Sequence, residues 1–349
     1  EKGVSFKTPM PTTWELYNKH IDENLTNESP LAFGLHPNAE IDFRLNNSND
    51  VLLRLTELQP RDAGGGEGTL SPADIAEQAM GDINEKISDM LFDMFDLNST
   101  LEGDLRGPYQ NCFLQECDIM NILTKEMRRS LKELKMGFDG ELTMSEAMED
   151  LQLSLYLDRI PSSWDKLAWN SMRPLAGWIL DLVKRYQQLS DWTNVPTEIP
   201  KVVWLSGLIN PPSFLTAIKQ VSAQKSKLPL DAIIIQTEVT KKMERKDLEG
   251  AAKDGGAYCN GFYMEGARWD IDEGLIVKSM PKEMFVPMPI INCKGILSSA
   301  QETVGIFMCP VYTTQFRGPT FVFMSQLKTK SSSARWILAG VAMILDVGE

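Results

Sequence analysis

Histidine is almost absent from this sequence of 349 residues, which contains only His20 and His36. Both lie in the first part of the sequence and next to no recognisable motif. A Cys–His nucleophilic site would need one of them folded against a distant cysteine, and no residue pattern predicts that contact. Catalysis that depends on histidine is therefore not expected.

Cysteine is scarce as well, and its number is odd. The five residues are scattered through the sequence: Cys112, Cys117, Cys259, Cys293 and Cys309. Zinc sites use Cys-x2-Cys or His-x3-His spacings, and the sequence has neither. Cys112 and Cys117 are five residues apart and do not share a helix face. We predict free thiols in a reducing compartment, no metal and no cofactor.

Long apolar runs and an excess of basic charge are also missing. No run reaches the roughly 18 to 20 residues that a membrane helix needs, and the longest candidate, Trp336–Leu345, is predicted to be a buried strand. The net charge is −13, and residues 1–190 hold 32 acidic but only 18 basic side chains. Nucleic acids, anionic filaments and anionic membranes bind basic surfaces, so none of these partners is expected. Glu1 follows no initiator Met and opens no signal peptide, which suggests a piece of a longer polypeptide.

The glycine-rich stretch at residues 59–69 resembles a phosphate-binding loop only in composition. A P-loop requires Gly-x4-Gly-Lys-Ser/Thr, because the lysine and the hydroxyl reach phosphate and Mg²⁺. No lysine occurs between Arg61 and Lys86. We predict an exposed linker that does not bind ATP.

Helical spacing dominates the first two thirds of the sequence. Ser71 is a strong cap, and Pro72 suits the first helical position. Apolar residues then recur at spacings of three and four up to Leu97, which predicts one long helix. A second long helix is predicted over 110–135, paired with the first as an antiparallel hairpin across residues 98–108. Further helices are predicted over 11–25, 50–58, 143–157 and 175–189, with an ion pair between Asp181 and Arg185 in the last.

The stretch Val203–Gln220 marks a change from helices to strands. Asn210 can accept hydrogen bonds from a first helical turn, and Pro211 and Pro212 have φ values suited to that turn. The helix that follows places Phe214, Leu215, Ile218 and Val221 on one face. We predict a packing joint without chemistry at this point.

After this joint the apolar period changes to two. Strands are predicted over 233–240, 257–265, 273–280, 288–294, 304–312, 321–329 and 334–347. Several short strands separated by Gly, Pro, Ser and Asn favour an antiparallel sandwich or barrel. The predicted fold class is α+β, with an N-terminal helical bundle followed by an antiparallel, incomplete β-barrel.

Two clusters of residues could carry a function. Five tryptophans lie within 41 residues: Trp164, Trp169, Trp178, Trp192 and Trp204. They could form a platform for sugars or bases, but their apolar spacing favours core packing. The block Glu265–Asp270 gathers carboxylates around Arg268 and could serve as an acid–base pair. Strand alternation favours an ion-paired corner that holds Trp269, with Gly266 allowing close backbone approach.

These blocks also occur in a known order. Arg159–Trp164, Pro174–Trp178, Val203–Gln220 and Gly261–Asp270 resemble the C-terminal region of dynein heavy chains, from about Pro30 onward. Gly34–Ile41 looks more like the axonemal branch, with its outer-arm chains, than the cytoplasmic branch. The residues assigned to the family pattern are Trp164, Trp178, Trp204, Asn210, Pro211, Phe214, Gly261, Glu265, Gly266, Arg268, Trp269, Asp270, Pro310 and Tyr312.

The resemblance implies three segments: residues 1–29 leaving a preceding AAA+ module, a helical part at 30–228, and a β-barrel part at 229–349. It implies a regulatory domain that packs on the AAA+ ring of the same heavy chain and tunes ATP-driven motility without hydrolysing ATP. Other dynein-arm subunits are further possible partners, and the setting implied is the cytoskeleton of a cilium or flagellum. The alternative is an independent adaptor or a small-molecule-binding barrel with a pocket at its mouth.

Overall fold

A computed structural model describes residues 13–24, 30, 35–58, 71–253, 255–300 and 304–348. The helices of these ranges are α1 Trp14–Asn24, α2 Pro37–Leu58, α3 Pro72–Ile87, α4 Met94–Thr100, α5 Pro108–Phe138, α6 Glu146–Tyr156, α7 Ser162–Asp165, α8 Leu175–Thr193, α9 Pro211–Ser226 and α10 Ser333–Leu338. The strands are β1 Val203–Trp204, β2 Ile233–Val239, β3 Ala257–Asn260, β4 Tyr263–Glu265, β5 Ala267–Asp270, β6 Leu275–Lys278, β7 Phe285–Pro287, β8 Ile291–Leu297, β9 Ile306–Thr314, β10 Phe321–Lys328 and β11 Ala342–Asp346.

Helix α3 begins as the sequence predicts but ends earlier. Ser71 accepts a hydrogen bond from the backbone of Asp74, whose side chain accepts one from the Ser71 N–H, so a complete capping box starts the helix. The predicted long helix to Leu97 is wrong. The helix ends at Ile87, and Asp93 caps the separate helix α4 by accepting from two backbone N–H groups.

The segment from α3 to α4 runs antiparallel to α5. The guanidinium of Arg128 donates to the carbonyls of Ile87 and Met90, and Asn121 bonds both backbone groups of Phe92. From Ile87 to Phe92 the residue numbers rise, while those of their partners on α5 fall from Arg128 to Asn121. The buried stripe of α5 contains Cys117, which is a small core residue.

Helix α2 is longer than predicted, since it starts at Pro37 and not near residue 50. Its first turn is hydrogen-bonded to the segment between β6 and β7. The Asn38 side chain donates to the carbonyls of Met280 and Glu283 and accepts from the N–H of Lys282. The predicted linker at 59–69 lies outside the described residues.

The described strands form mixed sheets and no closed barrel. One sheet has the order β1-β3-β8-β2, a second has the order β10-β9-β11-β4-β7, and β5 pairs with β6 alone. The predicted combination of helices and sheets is confirmed, but the predicted antiparallel barrel is confirmed only in part. Most strand pairs are antiparallel, whereas β1 pairs with β3 and β11 with β9 in parallel. The predicted single strand over 257–265 is divided into β3 and β4, which belong to different sheets, since Gly261 has a φ of +88°.

Side chains bridge the two larger sheets where strands β2 and β10 meet. The side-chain oxygen of Gln326 accepts from the Thr237 N–H at 2.7 Å, and its amide donates to the Ile235 carbonyl at 3.1 Å. The Thr237 hydroxyl adds contacts to Ser325 and to the Gln326 N–H. The Gln326 side chain therefore supplies β2 with the acceptor and the donor that the backbone of a neighbouring strand would otherwise supply.

The predicted strand over 334–347 is half wrong. Ser332 caps α10 through the N–H of Ala334, and Gly340, with a φ of +67°, follows the helix before β11 begins. The apolar run from Trp336 therefore contains a helix end, a turn and a strand. Periodicity over so short a run does not separate these conformations.

One continuous apolar core joins the helices and the sheets, from Ala76 of α3 to Leu345 of β11. Helix α9 lies between them, with Phe214 and Ile218 fully buried. Within the described ranges, no helix combines the length and apolar character needed to cross a membrane.

Candidate functional site

The junction of helices and strands is built around a buried charge. Arg185 of α8 is 2% exposed and pairs with Asp181 one turn earlier at 2.8 Å, which confirms the predicted ion pair. Its guanidinium also donates to the Leu208 carbonyl at 3.0 Å and lies 3.9 Å from the ring centre of Trp169. Burial lowers the pKa of Arg185, and the Asp181 carboxylate opposes that shift. The charge therefore ties α8 to the segment before α9.

Glu116 caps the segment that enters α9, a role that the sequence pattern predicted for Asn210. Its carboxylate accepts from the N–H of Ile209 at 2.6 Å and of Asn210 at 2.8 Å. Asn210 occupies the cap position, but its side chain makes no capping hydrogen bond, so that prediction is wrong. Burial raises the pKa of Glu116, while the two N–H groups act against the shift. Glu116 lies between Phe113 and Met120 on the apolar stripe of α5, which was the signal available in the sequence.

The tryptophans form stacked layers of the core, as the packing interpretation predicts. Trp164 and Trp178 are fully buried with ring centres 6.2 Å apart, and Trp169 stacks on Trp178 at 5.1 Å. The Trp164 indole N–H donates to the Ser130 hydroxyl. Trp204 lies 5.4 Å from the Arg185 guanidinium, so the rings extend to the junction.

The start of α9 is held by aromatic contacts. Pro211 is buried at its first position, and Phe214 is fully buried against Tyr109 and Phe113, with ring centres at 5.4 and 5.9 Å. The Tyr109 hydroxyl donates to the Gly255 carbonyl before β3, at 2.6 Å. These contacts connect α5, α9 and the first sheet.

Gly261 passes the Trp204 ring so closely that no larger residue fits. A Cβ atom built there would lie 2.5 Å from the indole and in contact with the Ser206 hydroxyl. Its φ of +88° also excludes an unstrained L side chain. Gly261 and Trp204 therefore belong to one joint.

Contrary to the prediction, the charged side chains of the block Glu265–Asp270 do not pair with one another around Arg268, because each has its partner outside the block. Glu265 pairs with Arg317 at 2.8 Å, and Arg268 lies 3.9 Å from Glu283. Asp270 accepts from two N–H groups of the turn between β5 and β6. Trp269 is partly buried against the core.

The remaining family-pattern residues lie on paired strands or directly after them. Gly266 has a φ of +77°, and an added Cβ would lie 2.8 Å from the Ala339 carbonyl, so close backbone approach is confirmed. Pro310 faces Met324 across β9 and β10, and the Tyr312 ring meets Phe321 edge to face at 5.9 Å. These residues lie in the second sheet or directly after one of its strands, whereas Trp204 belongs to the first sheet.

The last strand is attached to the helices by a third acidic group, which no pattern in the sequence indicates. Asp346 of β11 is buried, pairs with Arg173 at 3.0 Å and accepts from the Ser171 hydroxyl at 2.9 Å. The charged groups of the junction thus bind one element to another.

Reactive side chains in the described ranges are shielded. All five cysteines are free and buried, and burial raises the pKa of the Cys112 and Cys309 thiols to about 12. No three His, Cys, Asp or Glu side chains converge there as a metal site requires. An open groove of about 590 Å³ lies between the end of α8 and β3, lined by Trp192, Trp204, Arg245 and Asn260 among others.

Comparison with known proteins identifies the class. The family model for the C-terminal domain of dynein heavy chains matches residues 45–345. The sequence is 43% identical over 98% of its length to dynein axonemal heavy chain 17 of Homo sapiens and 45% over 94% to the β chain of the flagellar outer arm of Chlamydomonas reinhardtii. It is also 45% identical over 98% to the ciliary β chain of Heliocidaris crassispina.

The protein therefore belongs to the family of C-terminal domains of dynein heavy chains. Its match to axonemal heavy chains, an outer-arm β chain among them, confirms the branch that the sequence indicated. The aligned region covers only 8%, 7% and 8% of the three relatives, in the same order.

Proposed function

We propose that this protein is a non-catalytic regulatory domain of an axonemal dynein heavy chain. It packs on the AAA+ ring of the same heavy chain and tunes ATP-driven, microtubule minus-end-directed motility in a cilium or flagellum. The observation that carries the proposal is the 43% identity to an axonemal heavy chain along 98% of the sequence.

Exposed apolar side chains support packing against a larger body. Six of them are about two-thirds exposed or more: Trp14, Phe95, Val304, Phe316, Ile337 and Leu338. Burial of such groups against a partner is favourable, so these side chains offer apolar contact area to a larger body. The AAA+ ring is the first such partner, and other dynein-arm subunits are the second.

The burial of three charged side chains supports a structural role for them. Glu116, Arg185 and Asp346 are all buried and hydrogen-bonded to other elements. A catalytic acid or base needs to reach a substrate, whereas these groups face the interior. We infer that ATP hydrolysis belongs to other parts of the heavy chain.

An independent adaptor or small-molecule-binding barrel is less well supported. That alternative requires a closed barrel with a lined cavity, and the sheets of the described residues do not close. The open groove lies beside α8 and not inside a barrel.

The experiment compares the full motor with a motor that ends after Lys227 and therefore lacks the strand half. We expect a folded ATPase whose gliding velocity, stall force or run length differs from that of the intact motor. Nucleotide turnover in solution is measured in parallel, since it shows that the ring is intact.

Two results contradict the proposal. One is a truncated motor that moves and hydrolyses ATP as the intact motor does. The other is a truncated motor without ATPase activity, which would mean that residues 228–349 are needed to fold the ring.

A further inference from the structure

Three large apolar side chains are exposed on segments that are neighbours in the fold, just before α4, on α4 and on the facing helix α5. Leu91 is 50% exposed, Phe95 is 84% exposed and Ile122 is 48% exposed. Phe92 and Leu97 of the same segment are buried. Residues 91–97 therefore bury some of their apolar side chains and expose others. We call Leu91, Phe95 and Ile122 the α4–α5 patch.

Hydrogen bonds fix the patch in place. Asn121 accepts from the Phe92 N–H at 2.8 Å and donates to the Phe92 carbonyl at 2.9 Å, which ties the segment that follows Leu91 to the turn of α5 that carries Ile122. The Phe92 ring stacks on Tyr186 at 4.6 Å. Asp93 caps the turn that carries Phe95. The backbone that carries the exposed Phe95 is therefore fixed by the fold, and an aromatic side chain has few rotatable bonds to restrict on binding.

Acidic residues predominate in the segments that carry the patch. Residues 88–122 hold seven acidic side chains and one basic side chain, Arg106. Exposed carboxylates next to the patch belong to Asp89, Asp93, Asp96 and Asp118, and Lys125 is the nearest exposed base on α5. A partner that covers Phe95 must bring positive charge close to these carboxylates, because like charges or unpaired carboxylates would oppose docking.

We infer that the α4–α5 patch docks a Lys/Arg-rich segment of the same heavy chain, outside these 349 residues, that carries bulky apolar side chains. The inference rests on the proposed function. The sequence spans only 7–8% of the heavy chains it matches, so more than nine tenths of such a polypeptide is linked to it covalently. Docking of a linked segment is intramolecular, so its effective concentration does not depend on the concentration of protein in solution.

The test uses the full-length heavy chain with p-benzoylphenylalanine in place of Phe95. After irradiation, the cross-linked peptides are identified by mass spectrometry. We expect a cross-link to a heavy-chain peptide outside residues 1–349 that has an excess of Lys and Arg. Its yield should fall roughly tenfold when Asp96→Asn and Asp118→Asn are combined, and it should fall with added salt.

The matched control places the same photo-reactive residue at Phe316, which is 71% exposed but lies on the turn between β9 and β10. It should not label the same peptide. A cross-link from position 95 to a separate polypeptide, to a second copy of this protein or to nothing overturns the inference, and so does a yield that ignores the two Asp→Asn changes. Altered velocity of the motor truncated after Lys227, found together with such a result, leaves the proposed function standing.

Discussion

Single residues at the junction combine conformational and packing constraints. Gly261 is the sharpest example, because it has a positive φ and also lies against Trp204 and Ser206. Gly274 has a similar φ of +66° but no atom within 4 Å of an added Cβ. Alanine substitutions at Gly261 and Gly274 therefore separate the free-energy cost of the backbone conformation from the cost of the contact with Trp204.

Gly261→Ala should lower the free energy of unfolding by about 2–5 kcal/mol, the sum of a left-handed backbone and an overpacked contact. Gly274→Ala should lower it by only about 1–2 kcal/mol. Urea unfolding of the 349-residue protein measures both. Equal losses for the two variants would mean that the contact with Trp204 relaxes freely.

Glu116 makes stability depend on pH. Burial raises its pKa in the folded protein above the ordinary value of 4.5, so between 4.5 and the folded pKa the folded state holds a proton that the unfolded state has lost. Its contribution is complete below pH 4.5 and is lost as the pH rises through the folded pKa.

In Glu116→Gln this titration is absent. The free energy of unfolding of the unmodified protein, relative to that of the variant, should therefore fall from about pH 4.5 upward, by at most about 1.4 kcal/mol per pH unit. Urea titrations at several pH values between about 4.5 and 8 measure the difference. Parallel profiles for the two proteins would contradict the assigned pKa direction.

At the scale of elements, the contact between β2 and β10 depends on one amide side chain. Gln326→Leu keeps the volume but leaves the Thr237 N–H and the Ile235 carbonyl without their partner. Each of the two buried groups left unpaired costs about 1–3 kcal/mol, so a loss of about 2–6 kcal/mol is expected.

Amide hydrogen exchange gives a local measurement of the same change, since protection at Thr237 should fall before protection in the helices does. Gln187→Leu is the control because Gln187 is exposed on α8, and it should change stability by less than about 0.5 kcal/mol. Unchanged protection at Thr237 would show that another group replaces the amide.

The elements also show where sequence reasoning succeeds. Helices α5, α8 and α9 are long and strongly periodic, and each is predicted to within a few residues. The error at α3 arises because apolar spacing continues through Met94 and Leu97, which pack on α5 from a separate helix. The buried pair of Asp181 and Arg185 was predictable from its spacing, but the partner Leu208 was not, since only the fold brings them together.

The position of family-pattern residues was predictable, but several of their contacts were not. Gly261 and Gly266 need their special conformations, and the sequence pattern indicates this. Arg268 and Glu265 find partners in distant segments, at Glu283 and Arg317. Side-chain pairs between segments far apart in the sequence depend on the relative placement of sheets, which local periodicity does not contain.

For the whole molecule, charge governs which partners are compatible. At −13, the isolated protein should not bind microtubules, whose lattice is also anionic. At about 150 mM salt the Debye length of about 8 Å still leaves repulsion at contact distance. Co-sedimentation at this salt concentration tests the expectation, with the protein alone as the control for self-pelleting. Stoichiometric pelleting with microtubules would contradict it.

The placement of β11 has a consequence during synthesis on the ribosome. This strand lies inside the five-stranded sheet, between β9 and β4, although it follows β4 by a long stretch of sequence. Until residues 342–346 leave the exit tunnel, β4 and β9 each present an open edge with no neighbour on that side. At about 5–20 residues per second, β4 waits about 4–15 s for its partner. During that interval the nascent sheet is open to pairing with other polypeptides, so chaperone capture is needed most between the synthesis of β4 and that of β11.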